Sequence, residues 1–427
     1  MRTPLAYRAY VGLTALAVPF AAWVVTRKLR RAGLPTHRAH EPLGHATVPR
    51  EDGPLIWFHA ASVGESLSVL ALITRMGVAL PAAHFLITSG TPTSAKLIAQ
   101  RMPSRCVHQF APIDAPGPLK RFLKHWRPDA ALFVESEMWP QMLRRTRARG
   151  ARMALVNARL SERSVAAWAK RPRLAAYILD VFDLILTQND AMAQAMVRMH
   201  APVPRVARGQ NLKGFAGPLP TDADTQFEAR AALGARPIWV AASTHPGEEE
   251  IVLAAHQRLR ATYPDAHLIL VPRHPERGQE VVQRIADTCL PFTRRTRGEA
   301  PGGAVYLADT LGELGDWFAL TETVFLGGSL KPIGGHNPFE VAQSGATVLS
   351  GNHVSAFAET YAAMEAAGAA RLVSGAEDLA TRIAALWADD AARARAVAAA
   401  KGFAEAETGK LDTIAARLIK VLELDRD

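Results

Sequence analysis

"TVFLGGSLKPIGGHNPFEVAQSG", Thr323 to Gly345, decides how this chain is built. Its first four residues read as a buried apolar strand, which Gly327 and Gly328 then break. Asn337, Pro338 and Glu340 form a helix start, with Asn at the N-cap, Pro at the first helical position and Glu at the third. A strand, a glycine turn and a helix make one repeat of a parallel α/β sheet. The same turn has a second reading, because free N–H groups at a helix N-terminus hold anions. On this stretch alone, both the capping box and the anion loop stand.

The pattern extends in both directions. Upstream, "LIWFHA" (55–60), "HFLITS" (84–89), "AALFVES" (130–136), "RMALVNA" (152–158) and "LILTQ" (184–188) are apolar strands separated by helical stretches. A Pro/Gly-rich break follows between Pro202 and Pro220, and the pattern restarts. "IWVAAS" (238–243), "HLILVP" (267–272), "AVYLA" (304–308), "TVFLGG" (323–328) and "ATVLSG" (346–351) form the second set. Continuous apolar strands suit parallel sheets covered by helices on both faces. The expectation is an α/β protein of two Rossmann-like domains, 32–209 and 210–427, with a ligand cleft between them.

Bulk numbers limit the function classes. The 427 residues are too many for one ordinary core, and the net charge of +10 calls for an anionic partner. Two distant cysteines, Cys106 and Cys289, fit a reduced compartment. From Ala9 to Thr26 the chain carries no charge, and "RKLRR" (27–31) follows. Eighteen helical residues reach roughly 27 Å, just under the bilayer core, and Pro19 weakens a clean span. Residues 1–31 therefore read as a membrane anchor or interfacial helix, separable from the catalytic body and holding it on the cytoplasmic side. A buried or amphipathic helix is the bland alternative. This segment narrows the anion to a membrane surface and phosphorylated substrates, away from nucleic acid.

Nearly every strand runs into a polar cluster: "HAASVGES", "TSGTPTSAK", "ESEMWP", "NARLSERS", "ASTHPGEEE", "VPRHPER" and "GGSLKPIGGHNPFE". Ligands of open parallel sheets bind at the carboxyl ends of strands. Ser62-Val-Gly-Glu65 is formally a capping box, but Gly64 could also turn Glu65 toward a substrate as a base. Glu135 and Glu137 could share a proton, bind Arg159 or Arg163, or position an acceptor. Ser243, Thr244 and Pro246 read as a helix start, and Arg273 as a phosphate ligand or a surface turn residue. Dinucleotide fingerprints are missing, and the histidines have no metal-ligand spacing, so no metal or cofactor is expected.

Taken in order, with "DTLGEL" (309–314) added, these clusters closely resemble the 3-deoxy-D-manno-oct-2-ulosonic acid (Kdo) transferases of lipopolysaccharide biosynthesis. The resemblance covers nearly the whole chain. It implies a GT-B, metal-independent, inverting glycosyltransferase at the inner-membrane surface, moving Kdo from CMP-Kdo to a lipid A precursor. Its catalytic base matches Glu65, with Glu137 in support. It implies acceptor contacts at His59, Ser62, Gly64, Glu135 and Arg159. On the donor it implies Lys213, Ser243, Thr244, Arg273, His274, Gly327, Gly328 and Ser329. Gly312 and Glu313 match the base-binding loop, and Asn337 and Glu340 the ribose end. One motif departs: "GQNLKGF" (209–215) keeps Asn211, Leu212 and Lys213, while Gln210 and Gly214 replace the family's usual residues and an acid is missing. Another GT-B transferase, a nucleotide-sugar epimerase or a non-catalytic nucleotide-sugar binder are the alternative readings.

Overall fold

The computed structural model describes residues 2–209, 212 and 219–425. Fourteen strands are found among them. The first seven are β1 (Leu55–His59), β2 (His84–Ser89), β3 (Cys106–Phe110), β4 (Ala130–Val134), β5 (Arg152–Ala158), β6 (Leu184–Thr187) and β7 (Val206–Arg208). The second seven are β8 (Ile238–Thr244), β9 (His267–Pro272), β10 (Phe292–Arg294), β11 (Val305–Leu307), β12 (Thr323–Leu326), β13 (Thr347–Gly351) and β14 (Ala370–Val373). Six helices matter below: α1 (Leu5–Arg31), α2 (Val63–Ala79), α3 (Pro140–Arg147), α4 (Glu249–Thr262), α5 (Phe339–Gln343) and α6 (Asp390–Val421).

Each set of strands makes its own parallel sheet. The orders are β3-β2-β1-β4-β5-β6-β7 and β10-β11-β9-β8-β12-β13-β14. In both, the chain starts in the middle and reverses direction beside its first strand, at β1/β4 and at β8/β12. Side chains alternate between two buried layers. Leu55 and Trp57 join one core while Ile56 and Phe58 join another; Trp239 and Ala241 alternate likewise with Val240 and Ala242. Burial on both faces is why these strands run apolar on both sides until their last residues, His59 in β1 and Ser243 and Thr244 in β8.

The chain divides into two compact units, Met1–Ala216 with Gly409–Asp427, and Gly217–Thr408. The tail, expected in the second domain, returns to the first. Leu411, Ile414 and Leu418 of α6 are buried against Ile56, Phe58 and Leu132.

Helix α1 is also built into the first unit. Among the described residues it is the one helix long and apolar enough to cross a membrane. One stripe of it docks: Tyr7 and Leu29 are buried, and the Tyr10 hydroxyl donates to Asp114 at 2.8 Å. The Gln141 amide donates to the Thr14 hydroxyl at 2.6 Å. The other stripe, with Leu5, Leu13, Leu16 and Phe20, is exposed.

Candidate functional site

In the first unit the site residues gather where β1 and β4 end. His59, the last residue of β1, is buried. Its Nδ1 lies 2.9 Å from the Thr88 hydroxyl and its Nε2 3.1 Å from Glu137 Oε2. The Trp139 indole donates to the same Glu137 oxygen at 2.5 Å. Burial alone would raise the Glu137 pKa, but the hydrogen bond and charge of His59, with the Trp139 bond, hold it below the usual carboxylate range.

Glu65 behaves in the opposite way. The Ser62 hydroxyl accepts from the Glu65 amide at 3.3 Å, and Glu65 Oε2 accepts from the Ala61 amide at 2.9 Å. The Ser62 arm of the capping box is therefore present, while the Glu65 arm reaches one residue past the N-cap, to Ala61. Burial, reinforced by the Glu137 charge, raises the Glu65 pKa, against the lowering effect of the Ser62 side chain and the Ala61 amide on its carboxyl. Gly64 does not turn the chain as expected; it lies inside the first turn of α2, and the third helical position alone aims Glu65 back at Ala61.

Two residues beside this pair carry backbone strain. Glu135 (φ +55°) and Asn157 (φ +56°) occupy the left-handed region at the ends of β4 and β5. The register of β5 against β6 shifts between Leu155 and Ala158. Such strain costs about 1–3 kcal/mol per residue and concentrates at functional sites. Asn157 Nδ2 donates to Glu135 at 3.3 Å, and its Oδ1 accepts from the Leu212 amide at 3.1 Å. Asn157 thus ties the acidic cluster to Leu212, one of the two described residues of the junction motif. Lys213 lies outside the described residues. Arg159 and Arg163 are exposed, and neither pairs with Glu135 or Glu137; the partners found are Asn157 and His59.

The second unit repeats the plan where β8 and β12 end. Ser243 has φ +57°, with a register shift between Ala242 and Thr244. Ser243 and Thr244 close the strand instead of opening a helix; α4 begins only at Glu249. The intervening Glu248 is fully buried. Its carboxylate accepts from the amides of His245 (2.9 Å), Gly328 (2.7 Å), Ser329 (2.8 Å) and Leu330 (2.8 Å). The expected open N–H groups of the glycine turn are thus occupied by the protein's own anion. Gly327 is needed for this fit, since a Cβ there would stand 2.9 Å from the Glu248 carboxylate and 2.7 Å from the Ser243 carbonyl.

Above this buried carboxylate is a histidine cluster that sequence reasoning missed. The Nε2 atoms of His245 and His336 are 3.0 Å apart, with their rings stacked, and His274 meets His245 edge-on at 5.7 Å. Burial lowers the pKa of both stacked rings, that of His336 to about 4 with help from His245 and Arg273. Both rings are therefore neutral near pH 7, one donating Nε2–H and the other accepting. Arg273, after β9, is exposed and without a side-chain partner among the described residues, which leaves its guanidinium for a ligand. The pairing of His245 with His336 spans 91 residues and has no signal in local spacing.

The outer donor candidates are placed as follows. Gly312 (φ +92°) and Glu313 follow β11, and Glu313 is paired with Arg295 at 2.8 Å. The expected capping box is not formed at Asn337: α5 starts at Phe339 with Pro338 as the N-cap, and Asn337, one residue earlier, accepts from the Phe339 amide through its Oδ1 at 3.2 Å. Glu340 sits in the first turn of α5. Among the described residues no group of three or more His, Cys, Asp or Glu side chains is arranged to hold a metal ion.

Comparisons with known proteins bear on the family and the fold. Residues 37–216 fit the family model described as 3-Deoxy-D-manno-octulosonic-acid transferase (kdotransferase). The 3-deoxy-D-manno-octulosonic acid transferase of Rickettsia felis is 34% identical over 77% of this chain and 70% of its own length. That of Bordetella pertussis is 32% identical over 84% of this chain and 86% of its own. Among solved structures, a glycosyltransferase from Rickettsia africae aligns over 88% of this chain and all of its own, with TM-score 0.57 and 11% identity. A UDP-GlcNAc 2-epimerase from Neisseria meningitidis covers 87% of this chain and all of its own, with TM-score 0.55 and 11% identity. The build shared with both is that of GT-B proteins, two Rossmann-like units.

Proposed function

Because the chain belongs to the 3-deoxy-D-manno-octulosonic acid (Kdo) transferase family of glycosyltransferases, we propose that it moves Kdo from CMP-Kdo to a lipid A precursor, lipid IVA. The reaction is an inverting displacement. Glu65 takes the proton from an acceptor hydroxyl, the oxygen bonds to the anomeric carbon of Kdo, and the bond from that carbon to the CMP phosphate breaks.

The observation that carries this reading is the opposite push on two neighbouring carboxyls. Glu65 is raised toward neutrality and Glu137 is held ionised. Pairs whose environments separate their pKa values identify acid–base roles. Glu65 is the proton acceptor, while Glu137 keeps a fixed negative charge and orients His59. Glu135, strained and buried, positions the acceptor with Ser62 and Arg159.

Donor binding belongs to the second unit. Arg273 and His274 take the CMP phosphate, and the neutral His245–His336 pair offers a hydrogen-bond donor without adding charge. Ser243, Thr244 and the turn Gly327–Ser329 shape the floor, with Glu248 as its internal anion. Gly312 and Glu313 serve the base, Asn337 and Glu340 the ribose, and Lys213 the phosphate. No metal takes part in this scheme.

The exposed apolar stripe of α1 and the basic end at Arg27, Lys28, Arg30 and Arg31 support attachment to the cytoplasmic face of the inner membrane. Contacts of α1 with the first unit at Tyr7, Tyr10, Thr14 and Leu29 support the interfacial form of the attachment over a spanning one.

The test is Glu65→Gln. Transfer from CMP-Kdo to lipid IVA should fall by about 10²–10⁴, with CMP affinity within about twofold of wild type. Wild-type turnover by this variant would remove Glu65 from the mechanism.

A further inference from the structure

A cavity of about 290 Å³ in the first unit connects α1 to the acidic cluster. One wall is α1 itself, through Ala21, Val25 and Leu29; the facing wall includes Phe110, Ile113 and Met142. His59 and Glu137 stand at the polar end, beside Trp139. Asp114 also borders the cavity, but its carboxylate is engaged. It accepts from the Tyr10 hydroxyl (2.8 Å) and from the amides of Gln141 (3.2 Å) and Met142 (2.5 Å).

The cavity therefore pairs a polar end with a hydrocarbon wall. That wall is the inner stripe of a helix whose outer stripe, Leu13, Leu16 and Phe20, is exposed and apolar. A polar ligand alone would satisfy the His59–Glu137 end and leave the hydrocarbon wall without a partner. A free hydrocarbon would do the reverse. A sugar carrying an acyl chain satisfies both.

We propose that this slot takes one acyl chain of the acceptor, with the attacking sugar hydroxyl at the end lined by Glu137 and Ala61, the residue whose amide holds the Glu65 carboxylate. The inference rests on the reading of the protein as a transferase to a lipid-linked acceptor, and it adds a role for α1. The helix forms part of the substrate site and does not act only as an anchor. Each methylene seated in the slot contributes roughly fourfold in affinity, so the slot selects acceptors by their chains.

Two measurements on the full chain test this. Val25→Trp fills the slot from the α1 side while leaving the outer stripe intact. The preference for lipid IVA over its fully deacylated disaccharide, taken as the ratio of kcat/KM, should collapse at least tenfold. An unchanged ratio would overturn the proposal. Independently of any transfer, wild-type protein is irradiated with a glucosamine lipid whose acyl tail carries a diazirine. Cross-links should fall on peptides containing Phe110–Ile113 or Met142 and be lost in Val25→Trp. Cross-links confined to Leu13–Phe20 would overturn the slot. Slot cross-links in a protein that transfers no Kdo would support the slot and defeat the transferase reading, so the two failures are separable.

Discussion

The two units solve the same topological problem with opposite electrostatics. Each places its site where the strand order reverses, at β1/β4 and at β8/β12. Each strains a non-glycine backbone there, at Glu135 and Asn157 in one and Ser243 in the other. The first unit gathers its carboxylates at the site: Glu137 faces His59, and its charge is felt by Glu65. The second unit buries its carboxylate, Glu248, under four backbone amides and presents imidazoles and a guanidinium instead. In the proposed reaction the first of these sites accepts a proton and the second meets a negatively charged ligand.

The largest test of this contrast is Glu248→Ala. Removing the carboxylate leaves four amide donors without their acceptor, at about 1–3 kcal/mol for each group that stays buried and unpaired. Urea unfolding of the second unit should shift by several kcal/mol on that basis, and sulfate should restore part of the loss by standing in for the carboxylate. A variant with wild-type stability would show that Glu248 does not hold the turn.

Acid should separate the units next. His256 and His267 are fully buried, and burial lowers their pKa values to about 3 and about 4. A depressed folded-state value gives stability that is complete above the unfolded value near 6.5 and is lost as pH falls toward the folded one. Each contributes a slope of about 1.4 kcal/mol per pH unit in that window. Hydrogen exchange, corrected for intrinsic rates, should therefore show β8 and β9 losing protection between pH 6.5 and 4. In the first unit His108 has the same tendency, held near 3 by burial and Arg38, but the raised carboxyls Glu65 and Asp114 gain from protonation. Strands β1 and β4 should lose less. Equal losses would break the contrast.

The smallest effect tests the coupling inside the acidic cluster. Glu137→Gln removes a charge that raises the Glu65 pKa, so the acid limb of kcat/KM should move to lower pH. An unmoved limb would mean that the two carboxyls do not sense one another.

Much of this was legible in the sequence, and the unread parts share physical causes. The ten strands readable as apolar runs are the inner ones. The four unread strands, Cys106–Phe110, Val206–Arg208, Phe292–Arg294 and Ala370–Val373, are the edges of the two sheets. Edge strands have a neighbour on one side only, so their composition is mixed, as in "CVHQF", "VAR", "FTR" and "ARLV". Missing Cys106–Phe110 also hid Asp114, which follows it and pins α1. The Ser62 cap on the Glu65 amide was local and therefore visible. Which carboxylate would fill the Gly327–Gly328 turn was not, because Glu248 reaches it from 80 residues away.

The division of labour is tested most directly by measuring CMP binding and single-turnover Kdo transfer side by side in Glu65→Gln and Arg273→Ala. The expected result is a double dissociation. Glu65→Gln should bind CMP normally and transfer at least a hundredfold more slowly, whereas Arg273→Ala should bind CMP about tenfold more weakly, the loss of one charge-assisted phosphate contact. If Glu65→Gln lost CMP affinity while Arg273→Ala kept it, the assignment of chemistry to the first unit and donor binding to the second would be wrong.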